Sequence, residues 1–312
     1  MRAFVFPGQG SQRVGMGQEL SLAIPAAREV FEEVDEALKQ NLTRIIFNGP
    51  EDELTLTENA QPALLAVSMA VVRAVEAESG VAIGELGDYV AGHSLGEYSA
   101  LASVGALGVS DAARLLQLRG ASMQRAVAVG EGAMAALIGV NIDIVEKIVK
   151  DSAGKDICNI ANDNGPGQVV ISGHSEAVER AIKLSIERGA RRAILLPVSA
   201  PFHCSLMSPA AEEMIEALES VIVSTPAIPL VSNVHAKDES EPSVIRTNLI
   251  EQVTSMVRWR ESVLFMRKKG VYNLIEIGSG NTLSGINRRI DSELTVMSVS
   301  TPEMIEEFLK KL

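Results

Sequence analysis

The sequence predicts an α/β protein with a small α+β domain inserted into its main domain. Strands and helices alternate from Met1 to about Arg125, and longer elements return after Ser199. A glycine-flanked serine, Ser94, lies between a buried strand and a packed helix. Between the two parts, roughly 70 residues follow the order β-α-β-β-α-β of a ferredoxin-like unit. These three observations define the predicted fold class.

The spacing of apolar residues predicts each element in turn. In the main domain we expect a first strand within Met1–Phe6, strands at Tyr89–Ala91, Pro229–Asn233 and Val271–Ile277, and helices at Leu95–Leu107, Ser208–Ser220, Ser243–Met256 and Arg260–Lys269. In the inserted domain we expect strands at Ala133–Ile138, Ile157–Ala161, Gln168–Ser172 and Ala193–Leu196, with helices around Asp143–Val149 and at Ser175–Glu187. The predicted domains are residues 1–127 with 199–312, and residues 128–198.

Composition indicates a water-soluble protein and argues against several classes. The 312 residues carry a net charge of −12, which argues against nucleic acid as the main partner. The apolar run Leu64–Val72 is too short to span a membrane, and the first apolar run ends too early for a signal peptide. Two cysteines, Cys158 and Cys204, are too few for a disulfide framework or a cysteine zinc site. We therefore expect a cytoplasmic protein with no metal site.

Ser94 is the candidate nucleophile. In Gly92-His93-Ser94-Leu95-Gly96 the glycines allow a tight strand-to-helix turn that projects the serine hydroxyl into a cleft. The following N–H groups lie at a helix N-terminus and are aimed at negative charge that forms beside the serine. The alternative is a structural serine in a glycine-rich chain.

A serine needs a base, and the chain offers four histidines. His93 adjoins Ser94, and neighbours on an extended strand end point in opposite directions. His174 lies on the inserted domain, and His235 lies in a polar loop. His203 follows a strand at the point where the chain re-enters the main domain, where α/β proteins form their sites. Elimination favours His203 as the base.

Several motifs, taken together, resemble one enzyme family. The chain is similar over essentially its whole length to malonyl-CoA:acyl carrier protein transacylases, whose motifs match Phe6–Gln12, Gly92–Glu97, Leu118–Gly120, Asn164–Gln168 and Pro201–His203. The resemblance implies an α/β-hydrolase-like core with a parallel sheet, plus the ferredoxin-like subdomain. It also implies transfer of a malonyl group from coenzyme A to the phosphopantetheine thiol of a carrier protein, for fatty acid synthesis.

The resemblance also assigns roles to residues. Ser94 would carry the malonyl group, and His203 would move the proton. The N–H groups of Gln9 and Leu95 would form the oxyanion hole. The backbone carbonyl of Gln252 would orient the histidine in place of a carboxylate. From the sequence alone, Gln252 is a polar residue on a helix surface, and only the resemblance singles it out.

Arg119 would select the substrate. A guanidinium binds a carboxylate with two parallel hydrogen bonds, so by resemblance Arg119 would bind the free carboxylate of malonate and reject acetyl groups. The alternative interpretation is that Arg119 has no role in binding and that its side chain extends along the helix so that the guanidinium reaches water. Phe202 and Leu95 favour malonyl over methylmalonyl, although family members often have a small residue where Phe202 stands. Met123 and Asn162 are further candidates for the pocket.

The expected partners are malonyl-CoA and an acidic carrier protein, with no cofactor, nucleic acid or membrane. A monomer is expected, because no heptad or large apolar face is evident. The chain is itself acidic, so docking would need a local basic surface at Arg191–Arg192, Lys268–Lys269 or Arg288–Arg289. The alternative is that each basic pair is only an ordinary part of the solvent-exposed surface.

Three other functions stay open. A trans-acting acyltransferase of a polyketide pathway shares the motifs. A serine thioesterase or hydrolase shares the turn, but such enzymes place the histidine late in the chain, after an acid. A non-catalytic carrier-binding protein would leave Ser94, His203 and Arg119 without a use.

Overall fold

A computed structural model describes residues 1–198 and 200–312, and the predicted domain boundary at Ser199 lies outside the described residues. The strands are β1 (Arg2–Phe6), β2 (Tyr89–Gly92), β3 (Gly132–Ile138), β4 (Cys158–Gly165), β5 (Gln168–His174), β6 (Arg192–Leu195), β7 (Leu230–Val231), β8 (Asp238–Glu239), β9 (Asn273–Ile277) and β10 (Thr295–Val299). The helices are α1 (Gln18–Ala23), α2 (Pro25–Leu38), α3 (Leu42–Asn48), α4 (Glu51–Thr55), α5 (Thr57–Ser79), α6 (Gly96–Ser103), α7 (Val109–Arg125), α8 (Ile142–Ala153), α9 (Ser175–Glu187), α10 (Ser208–Glu219), α11 (Pro242–Gln252), α12 (Trp259–Lys268), α13 (Thr282–Ile290) and α14 (Pro302–Leu309).

The larger sheet is mainly parallel and has the strand order β10-β9-β1-β2-β7-β8. Its pairs are parallel except β7 with β8, which is antiparallel. Along β1 successive side chains point to opposite faces: Phe4 and Phe6 join one apolar cluster, and Ala3 and Val5 join another. A sheet covered on both faces needs such a continuous apolar strand, which is why β1 could be predicted from its composition.

The smaller sheet is antiparallel throughout and has the order β4-β5-β3-β6. On β3, Ala135 and Leu137 belong to a separate apolar cluster that includes residues of α8 and α9. Met134, on the opposite face, belongs to the main cluster. The small sheet therefore presents one face to its own helices and the other to the main core. The predicted α/β class with a second, smaller sheet is confirmed.

Helix α5 contains the apolar run Leu64–Val72, which is by itself too short to span a membrane. The whole helix has 23 residues and is long and apolar enough to cross one, the only such helix found in residues 1–198 and 200–312. However, 83% of an apolar 18-residue stretch of this helix is buried inside the protein, as in the core helix of a globular domain.

Several predicted elements are shorter in the structure: the helix expected over Ser243–Met256 ends at Gln252, and the strand expected over Val271–Ile277 begins at Asn273. Two further differences lie near Ser94. The helix expected over Leu95–Leu107 is α6, which ends at Ser103 before Gly105, a residue with φ of 75°. The strand expected at Pro229–Asn233 is β7, which has only two residues. The chain turns after Val231, because Ser232 accepts a hydrogen bond from the backbone of Ala236.

Candidate active site

The turn that carries Ser94 depends on close backbone contacts. A Cβ on Gly92 would lie 1.9 Å from the carbonyl carbon of Gly96, and a Cβ on Gly96 would lie 2.4 Å from the carbonyl oxygen of Phe6. Only glycine fits at either position. Ser94 itself has φ of 54°, a strained conformation for a residue with a side chain. Strand β2 and helix α6 thus hold the hydroxyl at the carboxyl end of the parallel sheet.

Ser94 and His203 are in hydrogen-bond contact. The Ser94 Oγ lies 2.7 Å from the His203 Nε2, and the His203 Nδ1 lies 2.9 Å from the backbone oxygen of Gln252. A carbonyl only accepts, so Nδ1 carries the proton and Nε2 of the neutral ring is free to accept from the serine. The structure brings together the predicted nucleophile, base and orienting carbonyl.

The environment of His203 favours its neutral form. Burial lowers the pKa of His203 to about 3, and the positive charge of Arg119 adds to this effect. The ring is therefore an available proton acceptor at neutral pH.

The other histidines have different surroundings. The His93 Nε2 lies 2.8 Å from Asn164 Oδ1, and its ring borders the cleft without contacting the Ser94 hydroxyl. His174 accepts a hydrogen bond from the backbone of Ile157. His235 is half exposed, 3.7 Å from Glu251. Of the four, His203 is the one placed against Ser94.

The backbone N–H groups of Gln9 and Leu95, near Ser94, have no hydrogen-bond partner within residues 1–198 and 200–312. Gln9 follows Gly8, where a Cβ would lie 2.7 Å from the backbone oxygen of His93. The absence of a side chain lets this loop approach the turn. The N–H of Ser94 is not available, because it donates to Asn233 Oδ1 at 2.8 Å.

A cleft of about 290 Å³ opens over Ser94. Most of the predicted site residues line it, namely Gln9, Ser94, Arg119, Met123, Asn162, Phe202 and His203. Leu95 and Gln252 lie behind this surface and are buried. The small sheet and the segment after it contribute residues that were not predicted, namely Met134 and Leu196–Val198. The cleft therefore lies between the two sheets.

Arg119 points into this cleft rather than to bulk water, because only 1% of the residue is exposed. Nη1 donates to Gln61 Oε1 and Nη2 donates to Gln252 Oε1, each at 2.8 Å, and Nη2 also lies 3.3 Å from Ser94 Oγ. The ring of Tyr98 lies beside the guanidinium. The alternative of an arginine that extends to solvent is excluded by this burial.

Three buried polar residues of the site were missed by the sequence analysis: Gln61, Glu97 and Asn233. Asn233 Nδ2 donates to the backbone oxygen of Gly92 at 2.7 Å, so this residue holds the turn on both sides of His93. Glu97 accepts from the backbone N–H of Asn233 at 3.1 Å. The signal available in the sequence was a glutamate within a run of small and apolar residues after Ser94.

No group of three or more His, Cys, Asp or Glu side chains suited to a metal ion occurs in the part of the chain that the structure describes.

The fold and the site are those of an acyltransferase. The family model described as "Acyl transferase domain" matches residues 3–300. The malonyl CoA-acyl carrier protein transacylase of Bacillus subtilis is 46% identical over 311 residues, covering 99% of this chain and 96% of that protein. The chain belongs to the malonyl CoA-acyl carrier protein transacylase family.

Solved structures agree with this assignment. The acyl-carrier-protein S-malonyltransferase of Bartonella henselae has a TM-score of 0.97 and 53% identity, covering 99% of this chain and 98% of that one. A malonyl-transacylase solved in complex with its type II polyketide acyl-carrier protein has a TM-score of 0.96 and 41% identity, covering 100% and 99% of the two chains.

Proposed function

We propose that this protein transfers a malonyl group from coenzyme A to the phosphopantetheine thiol of an acyl carrier protein, for fatty acid synthesis. The observation that carries the proposal is a buried guanidinium 3.3 Å from a serine hydroxyl that is itself paired with a neutral histidine. This arrangement places a carboxylate-binding group next to a nucleophile.

The first half-reaction loads the serine. His203 Nε2 takes the proton of Ser94 as Oγ attacks the thioester carbonyl. The oxyanion is bound by the free N–H groups of Gln9 and Leu95. As the carbonyl re-forms, the C–S bond breaks and His203 gives its proton to the departing sulfur of coenzyme A. The product is a malonyl ester of Ser94.

The second half-reaction runs in reverse. The carrier thiol loses its proton to His203 and attacks the ester, and Ser94 leaves with that proton. Gln252 fixes the histidine through its backbone carbonyl in both steps. Arg119 binds the malonyl carboxylate throughout, and Phe202, Met123 and Asn162 shape the pocket.

A transfer assay tests the proposal. Malonyl-CoA and acetyl-CoA are each incubated with the protein and a holo carrier protein, and the mass of the carrier is followed. Rapid malonylation with little acetylation supports the proposal, and release of free malonate without a malonylated carrier would instead make the protein a thioesterase.

A polyketide pathway is the second candidate, favoured by the 41% identical malonyl-transacylase that was solved with a type II polyketide carrier protein. The same assay separates the two pathways when it includes one carrier protein of each kind. A carrier preference of tenfold or more, on the order of 1.4 kcal/mol, would assign the pathway.

The remaining features complete the proposal. The larger sheet with its helices forms an α/β-hydrolase-like domain of residues 1–127 and 199–312, and residues 128–198 form a ferredoxin-like subdomain. The strand order β4-β5-β3-β6, with α8 and α9 on one face, supports the second assignment. We further propose a cytoplasmic monomer that needs no cofactor.

A further inference from the structure

The buried charge of Arg119 has no acid directly against it. Within residues 1–198 and 200–312, no carboxylate lies within 4 Å of its guanidinium. The partners of Nη1 and Nη2 are the side-chain amide oxygens of Gln61 and Gln252, and Nε has none. A buried cation is strongly disfavoured without compensation, so an anion nearby is expected.

Glu97 is a buried acid whose charge, present above its pKa of about 7, acts on Arg119. It is 1% exposed and forms no ion pair among the described residues. Oε1 accepts from the backbone N–H of Asn233, and Oε2 accepts from Nε2 of Gln252. Each oxygen therefore faces a donor, which suits the ionised carboxylate.

The side-chain amide of Gln252 joins the two charges. Its oxygen faces the Arg119 cation and its nitrogen faces the Glu97 anion, so the amide dipole is aligned favourably with both. Turning this amide over would place its NH₂ against the guanidinium and its oxygen against the carboxylate. The order Arg119–Gln252–Glu97 therefore has one favourable orientation.

We propose that Glu97 is a positioning residue, which acts through the Gln252 amide to hold Arg119 ready for an acyl carboxylate. The inference rests on the proposed function, in which Arg119 binds that carboxylate. A carboxylate in direct contact with the Arg119 guanidinium would compete with the carboxylate of the substrate. Because the Gln252 amide lies between Glu97 and Arg119, Glu97 can balance the positive charge and leave the guanidinium available. Because the Gln252 backbone also contacts His203, this arrangement connects acyl selection to the base.

The first test is Glu97→Gln, which replaces one acceptor oxygen with an NH₂ that faces a donor. We expect the KM for malonyl-CoA to rise roughly tenfold or more, the scale of one lost buried hydrogen bond, while loading from acetyl-CoA changes much less.

The matched control for this test is Glu276→Gln. Glu276 is also fully buried and accepts two backbone N–H bonds, from Leu283 and Ser284, but it lies outside the cleft. This variant should lower Tm without changing the malonyl-to-acetyl preference.

The second test is the double variant Glu97→Gln with Gln252→Glu. It restores a donor opposite an acceptor between positions 97 and 252 and between 252 and Arg119, but it moves the negative charge onto Arg119 and removes the bond from the Gln252 amide to the backbone oxygen of Ser94. We therefore expect Tm to recover only in part relative to Glu97→Gln, while the KM for malonyl-CoA stays raised because the new carboxylate occupies the guanidinium. Recovery of Tm and malonyl KM together would overturn the proposal, as would an unchanged preference in Glu97→Gln. If Arg119→Ala leaves the preference of the parent protein unchanged, the proposed function itself fails, whatever Glu97 does.

Discussion

Nη2 of Arg119 lies 3.3 Å from the Oγ of Ser94, so the residue that would bind the acyl carboxylate borders the residue that would carry the acyl group. In a malonyl ester, a single methylene separates the ester carbonyl from the free carboxylate. The short distance between these two side chains therefore suits malonyl, and an acetyl ester would leave the guanidinium unpaired.

Replacing Arg119 with alanine tests this selectivity. Malonyl transfer should lose on the order of 2–5 kcal/mol of binding, the usual scale for truncating one partner of a buried charged pair. Acetyl transfer should fall little or even improve, because no carboxylate needs the guanidinium. Steady-state kinetics with both thioesters measure the effect. Arg119→Lys should recover only part of the loss, because an ammonium lacks the planar pair of donors. Equal losses of malonyl and acetyl transfer in Arg119→Ala would contradict the proposal that Arg119 binds the carboxylate.

The pH dependence of acyl loading tests the state of His203. Burial and the nearby Arg119 lower the pKa of His203 to about 3, so the ring is neutral and can accept a proton throughout the range above that value. Loading from acetyl-CoA, which leaves the Arg119 charge in place, should show no decline through pH 6.5, the usual pKa of histidine. Stopped-flow release of coenzyme A measures this rate. A midpoint near 6.5 would show that the free enzyme protonates His203 in the ordinary range.

Glu97 should make stability depend on pH. Burial raises the pKa of its carboxyl from 4.5 to about 7, against the lowering effects of Asn233, Gln252 and Arg119. The folded state then binds the proton more tightly than the unfolded state, so this contribution is full below pH 4.5 and is lost as pH rises through about 7. The loss amounts to about 3 kcal/mol.

Urea unfolding of the parent protein and of Glu97→Gln at several pH values checks this effect. The glutamine side chain of the variant does not titrate, so the substitution should be more destabilising, relative to the parent, at pH 5 than at pH 8. An identical difference at both pH values would show that Glu97 keeps its ordinary pKa.

The turn around Ser94 should not tolerate a methyl group. Gly96→Ala would place a Cβ 2.4 Å from the oxygen of Phe6, and we expect a loss of about 1–3 kcal/mol or more together with activity. The matched control is Gly285→Ala in helix α13, where a Cβ meets nothing within 4 Å. That variant should gain roughly 0.5–1 kcal/mol, the difference between glycine and alanine in a helix. Thermal unfolding of both proteins measures this contrast, and equal effects would contradict it.

The carrier protein is predicted to dock near Arg191–Arg192. Both residues are exposed, and the strand that Arg192 begins leads directly into Leu196–Val198, which line the cleft. Reversing both charges to glutamate should raise the KM for the acidic carrier protein and leave loading from malonyl-CoA unchanged. The same reversal at exposed Lys310–Lys311, which do not line the cleft, serves as the control. An equal carrier KM in both variants would move the docking surface elsewhere, to Lys268–Lys269 or Arg288–Arg289.

The sequence was most informative where local backbone geometry restricts the residue type. Glycines at 92 and 96 are required by contacts within a few residues of Ser94 and with β1, so the turn could be predicted from a short motif. The buried strand β1 and helix α9 could be predicted from apolar spacing alone. His203 was reached by elimination, which worked because the chain has only four histidines.

The rest of the site depends on contacts between distant parts of the chain. Gln252 meets Glu97 across 155 positions, and Arg119 meets Gln61 across 58. Nothing in the local pattern around Glu97 or Gln61 names such a partner. The apolar pattern predicts a strand that includes Asn233, but the strand ends at Val231. The turn that follows allows the Asn233 side chain to hold the backbone on both sides of His93.

The intact mass of the protein after brief mixing with malonyl-CoA, without an acceptor, tests the central claim most directly. We expect one malonyl adduct that is absent in Ser94→Ala, weak with acetyl-CoA, and discharged by pantetheine or carrier protein. Steady release of coenzyme A with no adduct would contradict the account, because the thioester would then be hydrolysed rather than held on Ser94.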